Sequence, residues 1–133
     1  MANISALLAS DLSKRVKTPA YNGLDKTFTS EKLKGDAQLK VSAGVHTIAM
    51  MFSDLVGTIH IQGTLRMDPA EVDWMDVKLE SPNPFDLEVI NSVVCTTKTT
   101  AKRIYVVRGN FYWIRCVVDP FTAGHIDFIR LLF

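Results

Sequence analysis

The sequence predicts an all-β protein, an antiparallel β-sandwich of jelly-roll or related type with about eight strands over residues 36–133, preceded by an N-terminal arm over residues 1–35. Two observations support this fold class. After residue 36, apolar and polar residues alternate, which is the period-two pattern of half-buried strands. Turn residues recur at intervals of about 8–12 residues, a spacing typical of sandwiches rather than of alternating strand and helix units.

The size and charge of the chain limit the classes of function. A chain of 133 residues suits one domain with an appendage and can bury a sizeable core. The net charge of +1 argues against a dedicated DNA- or RNA-binding protein. The sequence has neither an apolar run of about 18–20 residues nor the pattern of a signal peptide. We therefore expect no direct nucleic-acid contact, no membrane association and synthesis in a cytosol.

The N-terminal arm contains one helical pattern. Four apolar residues recur at three- and four-residue spacing, which places them on one face of a short amphipathic helix. These residues are Ile4, Leu7, Leu8 and Leu12. Pro19 and the pair Asn22-Gly23 end the pattern. Because a helix of about a dozen residues is marginal alone in water, we expect this face to dock on a neighbouring subunit and the arm to be the main assembly device.

Three predicted strands follow the arm. Gly44 divides a strand over 38–44 from a strand over 45–52, and the pair Ser53-Asp54 is interpreted as a turn. The third strand alternates between two faces. Its apolar face holds Ile59, Ile61 and Leu65, and its polar face holds Thr58, His60, Gln62 and Thr64.

The second half of the chain continues the same rhythm. A strand over 72–80 ends at a proline-rich stretch, and further strands are predicted over the ranges 88–99, 101–109, 110–119 and 124–133. The last two are joined by a connection in which Pro120 and Gly124 supply special backbone angles.

The strand over 110–119 carries large apolar groups on both faces. Ile114 lies on one face, and Trp113 and Arg115 lie on the other. The strand is therefore either covered on both sides, or covered on one side and available for contact on the other. Trp113 beside Arg115 can stack on a sugar or pair with a partner's carboxylate; alternatively, Trp113 is a core residue and the Arg115 stem lies over it.

Residues with catalytic or metal-binding chemistry form no recognised pattern. The histidines are scattered without metal-ligand spacing: they are His46, His60 and His125. Asp73 and Asp76 flank Trp74, but carboxylates three positions apart on a strand point to opposite faces, which weakens a glycosidase-type pair. A G-x-S-x-G elbow and a phosphate-binding glycine loop are both missing. We expect no enzyme activity, no catalytic residues, no metal and no cofactor.

The cysteines indicate a reducing environment. Cys95 and Cys116 are too few for a disulfide framework or a tetrahedral zinc site. We expect both to be reduced apolar thiols inside strands.

Two stretches of the sequence resemble a family of small β-sandwich virion proteins of tailed bacteriophages. In that family an I-x-x-G-[ST]-L strand leads through a loop to a strand with a Trp, and a G-N-F-x-W-I-R strand pairs with an F-T-x-G-x-I-x-x-I strand. The first half is matched by Ile59 or Ile61, Gly63, Thr64, Leu65 and Trp74. The second half is matched by Gly109, Asn110, Phe111, Trp113, Ile114, Arg115, Phe121, Thr122, Gly124, Ile126 and Ile129. The resemblance begins at Val56 and leaves the arm unmatched.

The resemblance implies a non-enzymatic structural role in a virion, as a capsid decoration, a neck or adaptor protein, or a tail-associated subunit. It implies that other virion structural proteins and further copies of the chain are the partners, and that assembly takes place in the host bacterial cytoplasm. Trp113, Arg115 and Trp74 are the candidate surface contacts beside the arm. The alternative is a carbohydrate-binding β-sandwich module that presents Trp74 or Trp113 to a cell-surface glycan; the long arm and the absence of a signal peptide favour the virion role.

Overall fold

The computed structural model describes residues 5–10, 27–40, 43–83 and 85–132, and residues 5–10 are described by their backbone alone. The strands within these ranges are β1 (Ser5–Ser10), β2 (Phe28–Thr29), β3 (Leu33–Lys34), β4 (Val45–Thr64), β5 (Met75–Asp76), β6 (Leu79–Glu80), β7 (Val89–Ile90), β8 (Val93–Arg108) and β9 (Trp113–Leu132). The helices are a one-turn α-helix, α1 (Asp36–Leu39), and a 3₁₀-helix (Glu71–Asp73). No helix in the described part of the chain is long and apolar enough to cross a membrane.

The described strands form one antiparallel sheet, which confirms the predicted all-β class. Its main path runs β1-β9-β4-β8-β6-β7, while β2 and β3 also pair with β9 and β5 pairs with β4. The strands β4 and β9 each have 20 residues, a length of about 66 Å if straight. A compact domain of this size has a radius of gyration of only about 14 Å. The long strands therefore bend, and the sheet curls into a sandwich-like shape around its core.

The bend in β4 lies at the pair Ser53-Asp54. Before the pair the buried side chains occupy even positions, and after it they occupy odd positions. Asp54 has a φ of 50°, and the register shifts here with both neighbouring strands, between Phe52 and Leu55 with β8 and between Ser53 and Val56 with β9. An extra residue of this kind bends a strand while it keeps the apolar side chains on one face. The predicted turn is therefore wrong: the chain makes a bulge inside one long strand.

The predicted connection between the last two strands is likewise part of the continuous strand β9. It lies opposite the β4 bend, with Gly57 paired to Phe121 and Val56 paired to Ala123. Gly124 has a φ of 80°, and a Cβ at this position would collide with the Asp54 carbonyl. Gly124 thus permits the two bends to pack against each other.

The core is formed by the inward faces of the long strands. Fully buried side chains from both halves of the curled sheet include Ile48, Met50, Phe52, Leu55, Ile59, Ile61, Ile114, Cys116, Val118, Ile126, Ile129 and Leu131. The predicted inward positions of Ile59 and Ile61 are confirmed, whereas Leu65 is 60% exposed and Thr64 is fully buried. Leu65 is exposed because β4 ends at Thr64 and the chain leaves the sheet there. Both cysteines are free and buried within strands, as predicted.

The predicted helix of the N-terminal arm is wrong over residues 5–10, which form β1. This strand pairs antiparallel with the C-terminal end of β9, from Ser5 opposite Leu132 to Ser10 opposite Phe128. A short apolar run fits either a helix or a strand. The strand forms here because it can make backbone hydrogen bonds with the open edge of β9. Ile4 and Leu12 lie outside the described residues.

Further segments of the arm continue along the same edge of β9. Phe28 pairs with Val118 and Leu33 pairs with Ile114. The order of these pairings means that the arm runs antiparallel to β9, from its C-terminal end toward its N-terminal end. The described arm segments therefore pair with the sheet, while the division of the chain into an arm over 1–35 and a sandwich domain over 36–133 stays a prediction.

Two predicted strands are replaced by tighter structures. The strand predicted over 38–44 is wrong over its described residues, because α1 occupies its start and Ala43 and Gly44 form a turn. The Asp36 carboxylate accepts a hydrogen bond from the Gly44 N–H at 2.6 Å. The strand predicted over 72–80 is broken into the 3₁₀-helix, β5 and β6. Asp73 caps that helical turn by accepting a hydrogen bond from the Ala70 N–H at 2.7 Å. Conversely, the separate strands predicted over 88–99 and 101–109 are mostly one strand, β8.

Candidate functional site

The candidate site is a loop that side chains of the sheet hold against its outer face. Residues 65–74 leave β4, pass through the 3₁₀-helix and return to the sheet at β5. We call this segment the anchored loop. Gln62 lies between Arg115 on one neighbouring strand and Asp76 on the other, so these residues form a row across β9, β4 and β5.

Arg115 is the central anchor of the loop. Its side chain is only 11% exposed. It donates hydrogen bonds to Glu71 Oε1 at 2.7 Å and to Gln62 Oε1 at 2.9 Å, and its guanidinium lies 4.2 Å from the centre of the Trp74 ring. The hydrogen bond and the positive charge of Arg115 hold the pKa of the Glu71 carboxyl below its ordinary value. Arg115 therefore connects both ends of the 3₁₀-helix to the sheet.

Trp113 supplies a second anchor. Its indole N–H donates a hydrogen bond to the Met67 carbonyl oxygen at 2.8 Å. The Lys32 ammonium, from the segment between β2 and β3, lies 4.6 Å from the centre of the Trp113 ring. The structure thus brings together all three predicted surface residues, Trp74, Trp113 and Arg115. The guanidinium of Arg115 thus lies over Trp74, and the cation over Trp113 is Lys32.

The polar row continues beyond Gln62. The Gln62 side-chain amide donates a hydrogen bond to Asp76 Oδ1 at 3.0 Å, and His60 Nδ1 lies 3.0 Å from Asp76 Oδ2. His60 Nε2 lies 3.3 Å from the Asp119 carbonyl oxygen. Both ring nitrogens of His60 therefore lie close to oxygen atoms of neighbouring residues. The row fixes β5 and the end of the anchored loop on the sheet.

The candidate catalytic carboxylates named from the sequence have separate partners in the structure. Asp73 interacts with the Ala70 N–H and with Arg66, while Asp76 interacts with Gln62 and His60, so the two carboxylates do not act on a common point. Cys116 is completely buried, and burial raises the pKa of its thiol to about 12. Within the described ranges, no group of three or more His, Cys, Asp or Glu side chains is placed to hold a metal ion. The contacts described above instead hold the anchored loop, and the surface that it presents, in one position on the sheet.

The surface that the anchors position is apolar at its rim. Four large apolar side chains in or beside the anchored loop are at least half exposed: Leu65 (60%), Met67 (68%), Val72 (91%) and Met75 (51%). Sequence reasoning missed this rim because alternation assigned Leu65 to the buried face and placed Val72 and Met75 in a strand. The pair Asp68-Pro69, a turn signal, is the feature that could have indicated a loop here.

The predicted arm contacts lie elsewhere. Leu7 pairs with Arg130 in the ladder between β1 and β9, whereas Trp113 lies at the opposite end of β9. Leu8 belongs to the same strand, and Ile4 and Leu12 lie outside the described residues. Over the described residues, the two predicted contact regions therefore do not form one site.

A buried polar cluster beside α1 was also missed by sequence reasoning. The Asp36 N–H donates a hydrogen bond to His46 Nε2 at 3.1 Å, and both residues are almost completely buried. Burial lowers the pKa of His46, which favours the neutral ring that can accept this hydrogen bond. The cluster ties α1 to the start of β4 and has no direct contact with the anchored loop among the interactions described above.

Comparisons with known proteins identify the fold. No protein-family model matches the sequence, and no curated protein matches it. Among solved structures, the chain is similar to the crystal structure of the SPBc2 prophage-derived protein YomS, with a TM-score of 0.57 and 8% sequence identity. The match covers 98% of this chain and 91% of that protein. At this identity the likeness establishes a shared fold: nearly the whole chain has the fold of a prophage-derived protein.

Proposed function

We propose that the protein is a non-enzymatic structural protein of a bacteriophage virion, a capsid decoration, neck or adaptor, or tail-associated subunit, that binds a neighbouring virion protein through the anchored loop. The observation that carries this proposal is the loop itself: its Met67 carbonyl and Glu71 carboxylate are hydrogen-bonded to side chains of the sheet, and its exposed rim is apolar. The fold likeness to a prophage-derived protein supports the bacteriophage part of the proposal.

The energetics of the rim favour a protein partner. Burial of apolar surface contributes about 25 cal/mol per Å², so covering exposed side chains such as Val72 and Met67 favours association. Met is enriched in interface cores, where its flexible side chain adapts to the partner. Because Arg115 and Trp113 already order the loop, docking requires little additional loss of conformational entropy.

In this proposal the arm has a supporting role. Its described segments cover parts of the outer edge of β9, and covered edges do not pair with the strands of other molecules. Docking of a neighbour through Ile4, Leu7, Leu8 and Leu12 stays a prediction.

The carbohydrate-binding alternative is less well supported. Stacking on a sugar needs an accessible aromatic face. A cation already lies over one face of each candidate ring, Arg115 over Trp74 and Lys32 over Trp113.

The test is incorporation into particles. Particles of the phage that encodes the chain are purified from cells that also produce a tagged copy, and the tagged copy is quantified by mass spectrometry. We expect wild-type protein to be incorporated and the double variant M67D/V72D to be reduced at least tenfold, because two carboxylates in the contact would have to be buried. The control variant K40E changes the charge by the same amount at an exposed position outside the loop.

Two results would contradict the proposal. One is the absence of the wild-type chain from purified particles. The other is incorporation of M67D/V72D at the wild-type level while its folding, measured by circular dichroism, is unchanged.

A further inference from the structure

Charge is strongly segregated along the chain despite its net charge of +1. Residues 66–88 contain seven of the fourteen acidic residues: Asp68, Glu71, Asp73, Asp76, Glu80, Asp86 and Glu88. With Arg66 and Lys78 as the only basic residues there, this segment carries 2 − 7 = −5. The strand β8, in contrast, has no acidic residue and four basic ones, so it carries +4. The acidic segment precedes β8 in the sequence, and its C-terminal part, from β6 onward, lies beside β8 in the sheet.

The strand β8 presents an exposed basic edge. On one side it pairs with β4 along its length, but on the other its pairing within the described residues is a single bridge between Val106 and Glu80. Near the bend, Leu55 pairs with Thr99 and Gly57 pairs with Cys95, so residues 96–98 bulge outward. Lys98, Lys102 and Arg103 are all exposed. We call residues 96–104 the basic edge.

Next to it, β7 and the connection that leads to it from β6 form an acidic, apolar tip, which we call the acidic hairpin (described residues 81–83 and 85–90). Its side chains include Asp86 and Glu88 together with Phe85, Leu87 and Val89, which are 94%, 87% and 51% exposed. Local hydrogen bonds fix the turn: Asn83 Oδ1 accepts from the Phe85 N–H and Asp86 Oδ1 accepts from the Glu88 N–H, both at 3.0 Å. The apolar groups are therefore held outward rather than folded onto the sheet.

We propose that the acidic hairpin of one copy docks on the basic edge of a second copy, and that the contact is reciprocal. Asp86 and Glu88 face Lys98 and Lys102 of the other copy, while Phe85 and Leu87 cover its Ile104, which shares a face of β8 with Lys102 and is 53% accessible in the single chain. Both surfaces belong to the same edge of the sheet, in the order β4-β8-β6-β7. A two-fold axis at that edge forms both contacts at once and closes the assembly as a dimer.

A second copy is favoured over a nucleic acid as the occupant of the basic edge. Single-stranded nucleic acids are held by exposed aromatic side chains as well as by cations, but the aromatic residue of β8, Tyr105, is partly buried among the core residues. The chain itself, in contrast, carries a complementary acidic and apolar surface. The inference deepens the proposed function, because it rests on the expectation that copies of the chain meet within a particle.

The test is a charge-exchange experiment on the full-length protein, with mass measured by sedimentation equilibrium. At about 50 mM salt we expect wild-type protein to form a dimer that dissociates as salt is raised to about 500 mM. The variants D86K/E88K and K98E/K102E each place like charges at both contacts, so each alone should associate at least tenfold more weakly. An equimolar mixture of the two variants should recover the dimer, because both contacts of the mixed dimer are then complementary. A variant that fails to fold cannot give this recovery.

Other outcomes overturn the inference. These are a wild-type protein that stays monomeric up to about 100 µM at low salt, or a mixture of the two variants that stays as monomeric as each variant alone. If the wild-type protein binds DNA or RNA and forms no dimer, the basic edge is a nucleic-acid site and the proposal is rejected. M67D/V72D should form the dimer normally, so a failure of the particle experiment and a failure of this one are distinguishable.

Discussion

The anchored loop and the acidic hairpin are both acidic and both expose large apolar side chains, yet they are held in different ways. The anchored loop is fixed by Arg115 and Trp113, which lie 44 and 46 residues from their loop partners. The acidic hairpin is fixed by hydrogen bonds over two residues and by the short pairing of β7 with β6. The adjacent Glu80 links it to β8 through a single bridge and an exposed ion pair with Arg108 at 3.2 Å. The anchored loop therefore depends on the assembled sheet, whereas the acidic hairpin depends mainly on contacts between residues close together in the sequence. Substitutions in β9 should therefore disturb the first and spare the second.

The largest expected effect is that of R115A. It removes the charged hydrogen bonds to Glu71 and Gln62 and uncovers Trp74, so the free energy of unfolding should fall by about 1.5–3 kcal/mol in denaturant titration. Hydrogen exchange should accelerate in residues 65–74 and stay unchanged in residues 81–90. R115K, which keeps the charge but loses the planar two-point contact, should recover only part of the loss. Equal acceleration in both segments would show that the hairpin also depends on this anchor.

A smaller effect is expected from W113F. This change keeps an aromatic ring under Lys32 but removes the hydrogen bond to the Met67 carbonyl, which lies at the edge of the loop. We expect a loss of about 0.5–1.5 kcal/mol in the free energy of unfolding, with faster hydrogen exchange confined to the loop. W74F, which removes no hydrogen bond found within the described residues, is the matched control. A W113F variant with wild-type exchange in residues 65–70 would contradict the role of this indole as an anchor.

The variant R108A, which removes an ion pair beside the acidic hairpin, should lower the free energy of unfolding only slightly. The Arg108 side chain is 61% exposed and its partner Glu80 is partly exposed, so loss of this ion pair should change the free energy of unfolding by about 0–1 kcal/mol, and less at high salt. Compared with R115A under the same conditions, it measures the difference between an exposed arginine and one that is nearly covered. An R108A variant as unstable as R115A would remove the distinction between the two regions.

The smallest expected effect is in the acid titration of Glu71. The folded-state pKa of Glu71 is lowered from its ordinary value of 4.5 by Arg115. The unfolded chain therefore binds the proton more readily, so the stabilising contribution is present above about pH 4.5 and is lost as the pH falls through the lower folded-state pKa. Carboxyl NMR should record this lowered pKa in the wild type and its return toward 4.5 in R115A. An unchanged titration in R115A would assign the shift to another group.

The sequence alone was sufficient to predict which faces of several strands are buried. Strict alternation around Ile59 and Ile61 predicted which face of β4 is buried, and the same reasoning placed Ile114 opposite Trp113 and Arg115. These predictions succeeded because side chains alternate in any strand, whatever its partners. The grouping of Trp74, Trp113 and Arg115 as surface candidates also came from the sequence, although their mutual contacts did not.

The tertiary structure alone determined how the strands bend and pair. Ser53-Asp54 and the stretch Pro120–Gly124 have the composition of turns, but each becomes a bend inside a long strand because neighbouring strands remain hydrogen-bonded on both sides of it. Residues 5–10 fit a helical pattern, but β9 has an edge that a strand can cover. The contact between Arg115 and Glu71 likewise requires β9 to lie beside β4. The sequence thus determined the all-β class and the inward faces, since both follow from local periodicity, whereas pairing partners, bends and the anchored loop depend on residues far apart in the chain that only folding brings together.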